Sequence, residues 1–181
     1  MKKMIIGGLV AGFLVFVWQT LSWTALNLHG NVQKYSAGQD SILAKLSNSF
    51  TEEGTYVLPN LPPTATMQDM EKFTQDIAGK PWYTITYHAA YKVNMMTNII
   101  RGLLTDIAMM IVVCWFFLQF GNLSFGKIFS SCLVIGLASF IYYPYTGHIW
   151  YPSVGILIDF VDAFAGWGLA GLWLGYWLPK K

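Results

Sequence analysis

Apolar positions in this chain gather into four long runs separated by polar stretches. The runs cover residues 4–26, 97–120, 128–143 and 154–178. A helix needs about 20 apolar residues to cross a bilayer, at about 1.5 Å of rise per residue. Three runs reach that length, and four transmembrane helices are predicted. The third run is the shortest. Pro144 is expected to end it, since proline lacks the N–H that a helix interior needs. Residues 145–152 should then form a tight aromatic turn. Lys2 and Lys3 ahead of the first run resemble the start of a signal peptide. That run is about twice as long as a usual signal-peptide core, however, and no small-residue cleavage site follows it, so an uncleaved helix is expected.

The polar stretch 27–95 has a different pattern. Asp40 is placed to cap a short helix over 41–46. Residues 53–59 predict a turn and a short strand that ends at Pro59, and Pro62-Pro63 follows as a stiff connector. A second helix is expected over 66–78, with Thr66 as its cap and Gly79 just past its end. Residues 82–88 alternate with a period of two and are rich in strand formers, so they can pair with the strand around Tyr56. The predicted fold is an all-α membrane protein with four transmembrane helices and a small α+β extracytoplasmic cap, 27–95, between the first two. Residues 1–181 form a single membrane domain.

Composition strengthens this picture. The chain is 55% hydrophobic and 11% charged, against about 25% charged in soluble domains. A net charge of +2 without any basic run argues against nucleic acid as a partner. Charge placement sets the topology. The N-terminus, the 121–127 turn and the C-terminus carry Lys2, Lys3, Lys127, Lys180 and Lys181 and no acidic residue, whereas 27–95 mixes five lysines with six acidic residues. The positive-inside rule then places both termini in the cytoplasm and the cap outside.

Charges inside the runs are the candidate chemistry. Arg101 and Asp106 lie in the second run, Asp159 and Asp162 in the fourth, and Gln19 near the end of the first. All fall in the predicted outer half of the membrane. Asp159 and Asp162 are three apart and share a helix face. Arg101 is expected to reach one of them across an interface between the second and fourth helices, since its planar fork suits a carboxylate. Asn94, Asn98, Gln19, Ser22 and His148 are the neutral partners at hand. One reading of this cluster is a structural network that fixes helix register. The other is a proton- or cation-handling site, or a binding site for a polar ligand. Lower in the membrane, Gly8 and Gly12 on the first helix and Gly168, Gly171 and Gly175 on the fourth form smooth stripes. The two stripes are expected to meet each other, with a homodimer contact as the alternative.

Other chemistry finds little support. Nucleotide-binding, hydrolase and zinc-protease motifs are absent, and no nucleophile stands out. Cys114 and Cys132 are expected to be packing residues, and His29 and His88 are too scattered for a metal site. Neither a cofactor nor a metal is expected, and the chemistry leans away from an enzyme.

The segments Gly7-Gly8-Leu9-x-Ala11-Gly12, Phe16-x-Trp18, Ser22-Trp23 and Glu53-Gly54-x-Tyr56-x-x-Pro59 resemble an uncharacterised group of small multi-pass bacterial membrane proteins. Asp162 followed by Gly166-Trp167 fits the same pattern. The resemblance implies a bacterial inner-membrane location and carries no activity. The expected function is that of an accessory or structural membrane protein, with the bilayer around it and a protein partner at the cap. The alternative is a carrier or sensor using Arg101, Asp106, Asp159 and Asp162.

Overall fold

The computed structural model describes residues 1–179, so Lys180 and Lys181 lie outside the described residues. It divides into two compact units. One joins 1–34 to 93–181, and the other is 35–92.

The first unit holds four helices long and apolar enough to span a membrane. These are α1 (Lys2–Trp23), α4 (Met95–Phe117), the continuous stretch Phe125–Trp150, and α7 (Ile156–Trp177). The third stretch does not stop at Pro144. It runs as α5 (Phe125–Phe140), a π-helical turn (Ile141–Tyr145) and α6 (Thr146–Trp150). An α-helix would press the proline ring against the carbonyl of Phe140. The wider turn relieves that conflict. The backbone N–H of Thr146 donates to the Ile141 carbonyl, five residues back, and its hydroxyl donates to the same oxygen at 2.8 Å. The expected aromatic turn over 145–152 is therefore mostly helix. His148 Nδ1 accepts from the Ser153 N–H at 2.9 Å and closes the bend that leads into α7.

The helices pack as α1 on α4, α1 on α7, and α5 on α7. Helix α1 is thus flanked by α4 and α7, and the expected interface between the second and fourth helices gives way to contacts through the first. Glycines set the spacing. A Cβ at Gly12 would lie 2.5 Å from Ile107 Cα, and one at Gly8 would lie 2.8 Å from Ile111 Cα. These two glycines bring α1 against the backbone of α4, not against α7 as the stripes suggested. Gly171 and Gly175 likewise face α5, where a Cβ would meet Cys132 and Phe125 at 2.9 Å. Gly168 has ordinary room, with Leu133 3.7 Å away. The stripes are used within the chain, but each seats a different neighbour.

Helices α1 and α7 meet through other groups. Trp173 Nε1 donates to the Gly7 carbonyl at 3.1 Å, and Trp177 Nε1 donates to that of Lys3 at 2.9 Å. The two indoles stack with centroids 5.4 Å apart. Around them Ala11, Met110, Cys114, Ile128, Cys132, Ala170 and Leu174 form a buried core drawn from all four helices. The two cysteines are free and buried in it.

The second unit contains α2 (Gln39–Ser49), β1 (Gly54–Leu58), α3 (Met67–Ile77) and β2 (Tyr83–Tyr87). The strands pair antiparallel, with Tyr56 opposite Ile85, as the period-two pattern predicts. Phe50 stacks on Tyr56 at 4.1 Å and leans on Tyr87. Thr66 caps α3 reciprocally with Asp69. The Asp69 N–H donates to the Thr66 hydroxyl at 3.2 Å, and the Thr66 N–H donates to Asp69 Oδ2 at 2.9 Å. Gly79 follows with φ +74, a conformation that favours glycine. Asp40 lies inside the first turn of α2, whose cap is Gly38. No side chain of this unit is buried.

Candidate functional site

The polar site lies at the end of the bundle where α1 finishes and α7 begins. Trp18, Gln19 and Ser22 occupy the last turns of α1. Asp159 and Asp162 occupy the first two turns of α7, on one face. After α1 the chain turns sharply. Asn27 takes a left-handed conformation (φ 46), which asparagine tolerates better than most residues. Leu28–Asn31 then form a single 3₁₀ turn. Val32 packs on Gly155, where an added Cβ would lie 3.3 Å from its Cγ2. This fold-back lays the turn over the start of α7.

The consequence is a contact that the sequence pattern did not suggest. His29 is 8% exposed, and its Nε2 lies 2.9 Å from Asp162 Oδ2. With the carboxylate ionised, Nε2 is the donor. The pair is a salt bridge when the imidazole is protonated and otherwise a hydrogen bond to a charged carboxylate. Trp18 Nε1 donates to the other oxygen, Oδ1, at 3.1 Å. The His29 ring also stacks on Trp23, with centroids 3.8 Å apart and planes within 2°. Asp162 therefore ties the end of α1 and the following turn to α7. Asp159, one turn before it, lies within electrostatic range of both His29 and Asp162.

A second polar pair lies on the face of α1 turned toward α4. Gln19 Nε2 donates to Asp106 Oδ1 over a long 3.4 Å. Asp106 is 6% exposed, and its Oδ2 has no partner among the described residues. Ser22 is fully buried, and its Oγ is likewise unpartnered. Successive residues on a helix are turned by about 100°. Ser22 therefore falls between the direction of Trp18, facing α7, and that of Gln19, facing α4.

The expected cluster is thus brought together only in part. Gln19 meets Asp106, and Asp159 stands beside Asp162. Arg101 is exposed and pairs with neither aspartate, because α1 separates its helix from α7. His29 takes the place assigned to it. The Asn98 side chain makes no hydrogen bond among the described residues, while Asn94 caps α4 by accepting from the Thr97 N–H at 3.0 Å. His148 is occupied at its own bend. The residues that pattern reasoning missed are His29, Trp18, Trp173 and Trp177. Asn27 and Gly30, a tight-turn pair just past the first run, were the one local signal that the chain could fold back. No group of three His, Cys, Asp or Glu among the described residues is arranged to hold a metal ion.

Comparison with protein-family models, curated proteins and solved structures finds no match to this chain.

Proposed function

We propose that this is a small multi-pass membrane protein of accessory type, whose 35–92 unit binds a protein partner outside the bilayer. One observation carries this reading: that unit has strands, helices and apolar side chains, yet buries none of them. Small domains are marginal because they bury little surface. Ile42, Leu43, Met67, Met70, Trp82 and Tyr83 are exposed there, and apolar surface of this kind marks contact sites. The four apolar helices serve as the anchor. On this reading the Asp162 contacts are a structural tie between α1 and α7.

A second reading, a proton- or cation-linked carrier or sensor, is favoured by a specific observation. Ser22 Oγ and Asp106 Oδ2 are buried without partners, and such groups are costly unless water, a proton or an ion satisfies them. Arg101 has no part in this version.

Asp162→Asn and Asp106→Asn variants separate the two. The accessory reading expects Asp162→Asn to lower thermal stability in detergent by about 1–3 kcal/mol, with proton flux in proteoliposomes unchanged. A well-folded variant that loses a pH-dependent flux shown by the wild type overturns it.

A further inference from the structure

At the opposite end of the bundle, the turn between α4 and α5 forms a cavity of about 450 Å³. That volume falls within the range of ligand sites. One wall is aromatic, made by Phe116, Phe117 and Phe120. The other is polar and carries Lys127, Ser130 and Ser131. Asn122, left-handed at φ 55, turns the chain between the two walls. Lys127 Nζ donates to the Asn122 carbonyl at 3.4 Å, which leaves two of its three N–H donors free. Ser130 Oγ donates to the Lys127 carbonyl at 3.2 Å. The Ser131 hydroxyl has no partner among the described residues.

Within the helical unit, the charge around this cavity has one sign. Phe125 packs on Gly175, and Trp177 bonds to Lys3, so Lys2, Lys3 and Lys127 share this end of the bundle. The acidic residues of the helical unit, Asp106, Asp159 and Asp162, lie inside helices away from this end. An occupant that touches both walls must join an anionic group to an apolar segment.

We propose that this cavity binds the headgroup of an anionic phospholipid, with its phosphate on Lys127 and the Ser131 hydroxyl and its first chain carbons along the phenylalanines. Basic pockets beside membrane helices recognise lipids in this way. The proposal rests on the four helices lying in a bilayer, which retention of any phospholipid by the purified protein reports separately.

The test uses the full chain in detergent doped with phosphatidylglycerol or phosphatidylcholine, with bound lipid read by native mass spectrometry. Wild type should retain phosphatidylglycerol preferentially. Lys127→Gln should lower that retention about fivefold, the scale of one basic residue near anionic lipid, and Lys127→Arg should restore it. A Lys2→Gln/Lys3→Gln double variant should change it little. Equal retention of the two lipids by wild type overturns the proposal. So does a loss in the Lys2/Lys3 variant as large as that at Lys127, because that would mark a diffuse surface effect and not a site.

Discussion

Asp162 shows how far a single residue can be understood from its position in the chain. An aspartate two turns into an apolar helix needs a partner, since an unpaired buried charge is strongly disfavoured. That need was legible. The partner's identity was not, because His29 is 133 positions away in the chain and comes near only through a left-handed Asn27 and one 3₁₀ turn. Thr66 is the opposite case. Its cap spans three residues and was readable from the local pattern. Two hydrogen bonds, first from the Thr66 backbone N–H and then from its hydroxyl, hold the Asp69 carboxyl below its ordinary pKa. A lowered pKa stabilises the folded state above the unfolded value, and the gain is lost as pH falls through the folded value. Amide exchange at Asp69 and Met70 should therefore speed up selectively as pH drops below the ordinary carboxylate range, after correction for intrinsic rates. Asp69→Asn should remove that pH dependence while leaving α3 folded.

Among the elements, three of the four membrane-length helices follow from run length, and the strand pair follows from alternation. The third helix departs from expectation at Pro144. A proline rule that treats the helix as strictly α does not allow for a π turn, which absorbs the ring at the cost of one wider loop of chain. The glycines divide according to what lies opposite each. Gly12→Ala should separate α1 from α4, because its Cβ would meet backbone at 2.5 Å. We expect a loss of about 1–3 kcal/mol, as for overpacked cores. Gly168→Ala should be nearly neutral, as its Cβ would make an ordinary contact with Leu133 at 3.7 Å. Thermal unfolding of the two variants in the same detergent checks the contrast. Comparable losses in both would mean that spacing against the facing helix does not set the outcome.

For the whole molecule, the two ends of the bundle differ in character. One gathers Lys2, Lys3 and Lys127 around the cavity between α4 and α5, and the other holds His29, Asp159 and Asp162. We expect the lysine end in the cytoplasm, by the positive-inside rule. A fluorescent protein fused after Lys181 should then fluoresce, and alkaline phosphatase inserted after Asn60 should be active. The reverse pattern would invert the topology and move the 35–92 unit to the cytoplasmic side.

The sequence by itself determined the number of long helices, the small mixed unit between the first two and the presence of polar groups that need partners. These depend on run length, on local period and on the cost of burying charge, all of which act over short stretches of chain. Only the tertiary structure decided which helix neighbours which. Helix α1 is apolar along most of its length, and its Gly8/Gly12 stripe marks a contact face without specifying the neighbour, since in lipid an apolar surface gains nothing by choosing one apolar neighbour over another. Close packing at Gly8 and Gly12 and the indole bonds from Trp173 and Trp177 made that choice. With α1 between α4 and α7, Arg101 was set apart and His29 was brought to Asp162.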